Sequence, residues 1–565
     1  MYFLDGLKQK ITEALNLEVA VFSYPPNSSL GDLSLACFDL AKKNAQSPVE
    51  TAARLALELK NNKDFKNYFS DIRAVGPYLN FFVAPAYLAE NIITEIKKAG
   101  DKYGSNLNGH GERVMIEFSN GNTHKEYHVG HLRNISYGDA ITRLLSFNGY
   151  TAIPVSYIND FGIHTAKTIW NWQRDLTYRE RPEPKGFLLG RCYAKSGQAL
   201  EDNPEGKEAV STIMKEIESR QGDNYKLWEK TRQWSIDYFA SIYQELGIKF
   251  THIFYESEVI AAGLKIVDDL FKKKIIVKSE GAIIANLEQY DLGVLPIIRS
   301  DGTALYPVAD LALASKKFTQ YKLDQSIYVI DVRQSLYFKQ LCKVLALSGY
   351  QPKVFHLSYD FVTLPEGMMS SRTGNVITYQ ELRDTILEKF ITETIKRHDN
   401  WSTNHISKVA LNLTIATIKF EMLKVSADKI ITFNINEAAR FDGYTACYLQ
   451  YAYARLRSIV RKGSLNLFFG RLDFNKLTEL REKELLLKLA RYPEIVASAT
   501  VKYNPSEITK YLFELMQLSN DYYHEINILK SAAATKKARL VLVRAVSQVL
   551  QNGLALLGIK TLEEM

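Results

Sequence analysis

Between Glu112 and about Gln380, short apolar segments recur with helical patterns between them: Val114 to Phe118, Thr151 to Tyr157, Ala282 to Asn286, Ile327 to Ile330 and Val354 to Leu357. Strands that alternate with helices pair in parallel, because each crossover needs a helix to return the chain, and the helices cover the sheet. The pattern predicts a doubly wound, Rossmann-like α/β domain, whose ligands gather beyond the carboxyl ends of the strands at the switch point. After Glu381 the strand signal stops. Amphipathic helical patterns run through Ile406 to Val425, Tyr444 to Lys462, Lys476 to Ala499 with a break at Pro493, Pro505 to Glu525 and Thr535 to Leu557, which predicts an all-α C-terminal domain. Ahead of the α/β region lie an early helix, a helical stretch from Asp32 to Lys43, another after Pro48 and the strand-like Tyr78 to Val83, a small α+β domain. A chain of 565 residues is too long for one core. We therefore expect a multidomain α/β protein with units at 1–105, 106–385 and 386–565, an insertion around 180–285, and a linker from Lys97 to Gly111.

Composition narrows the class. Hydrophobic residues make up 46% and charged residues 24%, as in a globular protein, and no apolar run approaches the roughly 18 to 20 residues of a membrane helix. With no signal-peptide pattern at its start, the chain is expected in the cytoplasm, away from membranes. Cys37, Cys192, Cys342 and Cys447 are far apart and lack metal-ligand spacing, so neither zinc nor a disulfide framework is expected, and no protein-held metal. The net charge of +8 is compatible with a polyanionic partner.

Two motifs carry the chemistry. His128-Val-Gly130-His131 follows the strand pattern Val114 to Phe118 and opens a helical pattern from Asn134 to Phe147. Spaced i, i+3 at a helix opening, the two histidines lie on one face beside unpaired backbone N–H groups, where phosphate binds favourably, and Gly130 permits close approach. Much later comes Met369-Ser370-Ser371-Arg372-Thr-Gly-Asn375, in a loop at 368–375. Together the motifs imply activation of a carboxylate by ATP, a reaction that brings negative charge onto an already anionic phosphate and therefore needs positioning and cationic or hydrogen-bond stabilisation.

Four further passages make the chain resemble the arginyl-tRNA synthetases of class I over essentially its whole length: Glu117-Phe-Ser-Asn-Gly-Asn122 leading into His128 to Asn134; Tyr157-Ile-Asn-Asp160; Ser300 to Asp310; and Tyr448-Leu-Gln-Tyr-Ala-Tyr-Ala-Arg455. Leu556-Leu-Gly-Ile559 is similar too. The resemblance implies an arginine–tRNA ligase using L-arginine, ATP and tRNA(Arg), with Mg2+ riding on the nucleotide, in a monomeric protein. A guanidinium is a planar, permanent cation that asks for carboxylates. Asp310, one helical turn after Tyr306, is the first candidate and Glu117 the second anion. By resemblance Tyr306 and Asp310 hold the side chain, and Asn122 and Gln334 the α-amino end. ATP is expected over His128, Gly130 and His131, under Met369, Ser370 and Ser371.

The chain departs from the class pattern at Ser371, where the signature loop ordinarily carries lysine. Lys125, three residues before His128, is expected to supply that cation, with Arg372 as helper. Tyr337 and His164 stand where the family often has histidine and glutamine. For RNA, the resemblance implies contacts from Asn80 and Phe82 in the first domain and from Tyr448, Tyr451 and Arg455 in the anticodon-binding domain, though tyrosines at helical spacing also suit a core. The rival readings are another class I synthetase, of which the cysteine enzyme would need a zinc site, a small nucleotidyltransferase, and a catalytically inactive tRNA-binding relative.

Overall fold

A computed structural model describes residues 1–565 apart from 44, 179, 364, 366–376 and 464–471. Its centre is a five-stranded parallel sheet in the spatial order Val354–Tyr359, Gln325–Asp331, Arg113–Glu117, Thr151–Ile158, His252–Tyr255. Val114, Met115 and Ile116 are buried on both faces, as a central strand covered on two sides requires. From Arg113–Glu117 the chain first builds outward through Thr151–Ile158 and His252–Tyr255. It then crosses back to add Gln325–Asp331 on the other flank. The carboxyl end of Glu117 therefore stands at the topological switch point, where helices diverge and leave a crevice.

Ala282 to Asn286 does form a strand, but outside that sheet. It pairs antiparallel with Val277–Ser279 and Val294–Ile298 in a separate three-stranded sheet. The cause is a two-residue turn, Glu280-Gly281, in which both residues have positive φ, the geometry that reverses a right-twisted strand onto itself. The N-terminal region departs from expectation in the same way. Asp32 to Lys43 is not one helix: Leu33–Ala36 is a strand paired with Tyr78–Val83, and only Phe38–Lys43 is helical. Tyr78–Val83 sits inside a four-stranded antiparallel sheet between Leu33–Ala36 and Phe69–Val75, not at its edge.

Three long helices, Lys185–Leu200, Pro204–Ser219 and Asp223–Glu245, precede the strand His252–Tyr255, which lies within 180–285 yet is the edge strand of the main sheet and not part of an insertion. The C-terminal part consists of helices including Thr403–Leu423, Ala446–Gly463, Ser506–Glu525 and Ala533–Leu556; its short strand Ile431–Thr432 pairs with Val362–Thr363. The break at Pro493 falls between Leu480–Ala490 and Tyr492–Val501, with the proline in the first turn of the second helix, where its missing N–H costs nothing. No helix among the described residues is long and apolar enough to cross a membrane.

One close approach governs the crevice. The helix Glu256–Lys272 lies against the helix Tyr306–Tyr321 so tightly that a Cβ on Gly263 would collide with the carbonyl oxygen of Val308. A backbone atom cannot step aside as a side-chain tip can. Gly263→Ala should therefore destabilise the protein by about 1–3 kcal/mol, the usual cost of overpacking; a denaturant midpoint equal to that of the parent would show that the two helices are not held at this distance.

Candidate active site

The histidine helix Val129–Phe147 begins with a reciprocal cap built from its own signature. His128 is the N-cap; its Nδ1 accepts the backbone N–H of Gly130 at 3.2 Å, and Nδ1 of His131 accepts the N–H of His128 at 3.1 Å. Two orphan donors of the first turn are thereby satisfied. The rings stand 3.9 Å apart, and Tyr127 stacks on His131 at 4.7 Å. Gly130 is explained by this packing, because a Cβ there would press on the His128 ring at 3.0 Å.

Capping also sets the chemistry of the pair. An Nδ1 that accepts a hydrogen bond carries no proton, so each neutral ring holds its proton on Nε2. Burial, with the Lys125 charge adding to it, pushes His128 down to about 4, and burial with His128 and Lys125 pushes His131 well below the usual imidazole range. At neutral pH the pair offers neutral donors, which suits hydrogen bonding to a phosphate. The nearby cation is Lys125, half-buried, with its ammonium 5.1 Å from the centre of the Tyr193 ring and its own pKa lowered by burial. Behind the loop, His124 is fully buried and held on both ring nitrogens by Thr231 and Thr123, at 2.8 and 3.0 Å. Asn122 bridges to Asn159 at the end of Thr151–Ile158, which holds the loop to the sheet.

Around the corner lies a second group of side chains, and it is acidic. Asp310 and the exposed Tyr306 stand on the helix Tyr306–Tyr321, and one carboxylate oxygen of Asp310 accepts the hydroxyl of Tyr337. Burial pushes Asp310 up to about 6. Glu117 does not stand free as the second anion: the fully buried Lys317 pairs with it, and Asn120 donates to its other oxygen at 3.1 Å. Burial pulls the Lys317 pKa down, but Glu117 more than offsets this and the net shift is upward.

The unneutralised second carboxylate is Glu256, which the sequence reading missed. It is 7% exposed, its Oε2 has no hydrogen-bond partner among the described residues, and burial, with Asp310 and Asp160 adding to it, pushes it up to about 8. The buried hydroxyl of Tyr157 and Nε2 of His164 are likewise unpartnered among the described residues. Two desolvated carboxylates, of which Asp310 helps to raise the pKa of Glu256, with unsatisfied polar neighbours, mark a place that a cation completes. Glu256 opens its helix directly after the edge strand His252–Tyr255, an ordinary position for a helix-starting acid, so only its burial and the nearby Asp310 charge distinguish it. Gln334 lies exposed. Asp160, by contrast, is structural: it is fully buried and takes Arg232, the Ser257 hydroxyl and the Ser257 N–H.

Met369, Ser370, Ser371 and Arg372 lie outside the described residues. The chain on their far side is held to the histidines, since Val129 N–H donates to Ile377 and Tyr379 N–H to Tyr127, at 3.2 and 2.7 Å. Of the residues read as RNA contacts, Asn80 is buried with its amide oxygen bonded to Ser34, while Phe82 is half-buried beneath Arg73. Tyr453 is core, and Tyr444 is bonded to Thr509. Tyr448 is bonded to Asn520. Tyr451 and Arg455 line a cavity of about 430 Å³ with His398, Trp401 and Tyr523.

Comparison with known proteins covers the whole chain. Residues 3–83 match the family described as "Arginyl tRNA synthetase N terminal domain", residues 92–434 "tRNA synthetases class I (R), catalytic domain", and residues 449–565 "DALR anticodon binding domain". The chain is 35% identical to the arginine–tRNA ligase of Bdellovibrio bacteriovorus, covering 96% of this chain and 93% of that protein. It is 33% identical to that of Clostridium perfringens, covering 99% of each. The solved Thermus thermophilus arginyl-tRNA synthetase shares the fold, with a TM-score of 0.80 at 24% identity over all of both chains.

The capped pair has a spectroscopic consequence. Imidazole 15N NMR should find His128 and His131 neutral and in the Nε2–H form at pH 6, whereas an imidazolium signal from either ring at that pH would contradict the cap geometry.

Proposed function

The chain belongs to the arginyl-tRNA synthetases of class I, and from that premise we propose how its residues divide the work of the two half-reactions. The observation that carries the assignment of the amino-acid pocket is the pair of desolvated carboxylates, the partly buried Asp310 and the buried Glu256. The arginine guanidinium lies between them, with Tyr306 along its stem. Asn122, Gln334 and the Lys317-paired Glu117 serve the α-amino end. A neutral analogue such as citrulline leaves both acids unpaired, which is the source of rejection.

ATP lies over His128, Gly130 and His131. An oxygen of the arginine carboxylate attacks the α-phosphorus, the bond to pyrophosphate breaks, and arginyl adenylate remains. The Nε2–H groups of the histidines donate to phosphate oxygens as charge builds on them, and Lys125, aided by Arg372, supplies the cation that Ser371 does not. Met369, Ser370 and Ser371 complete the nucleotide site. Mg2+, when bound with the nucleotide, would offset charge on the phosphates. A hydroxyl of the terminal tRNA ribose then attacks the adenylate carbonyl, and the bond to AMP breaks.

Residues 386–565 take the anticodon side of tRNA, through Tyr451 and Arg455 at the cavity rim and Tyr448 beside it, and residues 1–105 approach another part of the tRNA through Phe82 and Asn80. For Asn80 this requires exchanging its bond to Ser34. Residues 106–385 form the catalytic unit. The protein works as a cytoplasmic monomer in this reading.

Two measurements test it. Aminoacylation of a total tRNA pool with each labelled amino acid should give charging with arginine alone, and Lys125→Ala should lower the rate by at least tenfold; charging with another amino acid would refute the pocket, and tRNA binding without charging would favour an inactive RNA-binding relative. The pH dependence tests the carboxylates. Both must be ionised to hold the guanidinium, so kcat/KM for arginine should be greatest above about 8, fall as pH drops through that value, and fall further through about 6. The interacting pair titrates as a unit. Glu256→Gln should raise KM for arginine at pH 8 by at least tenfold and remove the upper inflection; a flat profile in the parent would count against the pair.

A further inference from the structure

The helix Lys185–Leu200 is pressed onto the segment that carries Lys125. A Cβ on Gly190 would stand only 2.7 Å from the backbone nitrogen of Glu126, so glycine is what lets the helix come this close. Arg191 and Tyr193 flank Gly190, about 100° to one side and about 60° to the other around the helix axis. Arg191 pairs with Glu126 at 2.9 Å and with Glu381 at 2.6 Å. Glu381 in turn closes the capping box of the helix Tyr379–Arg397, where it accepts the N–H and the hydroxyl of Thr378. On the other flank, Tyr193 takes the ammonium of Lys125 against its ring, 5.1 Å from the centre. The ring of His164 stands perpendicular to that of Tyr193, with centres 6.5 Å apart.

These contacts leave Lys125 held but not neutralised. Glu126, the acid next to it in sequence, is taken by Arg191, and no carboxylate pairs with the ammonium among the described residues. Burial is what lowers its pKa, with no charged neighbour adding to the shift. A carboxylate at the place of the Tyr193 ring would cancel the charge and compete with phosphate for it. An aromatic face attracts the ammonium through its quadrupole, restrains the flexible four-carbon stem, and leaves the full positive charge to be offered elsewhere.

We propose, resting on the role given above to Lys125, that Tyr193 is a positioning residue that aims the Lys125 ammonium at the phosphates of ATP through a cation–π contact. The helix Lys185–Leu200 is the element that sets the ring in place, seated by the close approach at Gly190 and by the two ion pairs of Arg191. The cation absent at Ser371 is thus replaced by two residues acting together: a lysine from the histidine segment and an aromatic ring from a separate helix.

The test weakens the ring face while keeping its shape. Tyr193→Phe is compared with the same position carrying mono-, di- and trifluorinated phenylalanine, in the parent and on the Lys125→Ala background, by aminoacylation of total tRNA with arginine. Each fluorine withdraws charge from the ring face and changes its size little. Tyr193→Phe should stay within about twofold of the parent in kcat, and kcat should then fall with each fluorine, by roughly fivefold or more at three, with KM for arginine within about twofold throughout. On the Lys125→Ala background the series should be flat. A flat series in the presence of Lys125 would overturn the cation–π contact. A fall that persists without Lys125 would place the ring's effect elsewhere and overturn it too, as would a Tyr193→Phe variant as slow as the trifluorinated one, which would assign the effect to the hydroxyl. Parental charging by Lys125→Ala alone would refute the role of Lys125 itself, and the positioning with it.

Discussion

The reciprocal cap at the head of Val129–Phe147 is the interaction on which the site depends. A helix beginning at the switch point exposes several N–H groups toward the crevice, and two of them, those of His128 and Gly130, are taken internally by His131 and His128. That arrangement fixes both ring orientations and both tautomers at once. It also keeps the rings neutral, since a proton on either Nδ1 would break the cap and place a charge against the positive end of the helix. The requirement for glycine at 130 follows from the same packing.

Around this fixed point the polar groups are sorted by burial. Glu117 and Lys317 neutralise each other beneath the sheet end, and Asp160 is consumed by Arg232 and Ser257. Glu256 keeps one oxygen without a partner among the described residues, close enough to Asp310 for that charge to raise its pKa, and leaving such a desolvated acid without a cation is costly. Tyr337, a departure from the family pattern, donates its hydroxyl to one oxygen of Asp310.

The joint between the histidine helix and the C-terminal helices is polar as well. Arg133 adds a second donor to the carbonyls of Phe361, Ser426 and Ala427, which already accept the N–H groups of Ile431, Lys429 and Asp360, and Lys419 meets both Asp139 and the carbonyl of Gly558.

The sequence by itself determined the parallel sheet, the helical C-terminal region and the histidine end of the site, because each is a local matter: apolar period, strand–loop–helix order, and two histidines one turn apart. Lys125 and Asp310 were singled out partly by spacing from His128 and Tyr306 and partly by family resemblance. The tertiary structure decided what depends on distant segments meeting. That Ala282–Asn286 leaves the main sheet follows from two positive φ values at Glu280-Gly281, and that Leu33–Ala36 is a strand follows from its pairing with Tyr78–Val83. Glu117 lost its place as a free anion to Lys317, a residue 200 positions away. Glu256 stands with one oxygen unpartnered among the described residues, on a helix that Gly263 lets approach the carbonyl of Val308. Charge state is set by burial and by neighbours, and neither is written in the spacing of residues along the chain.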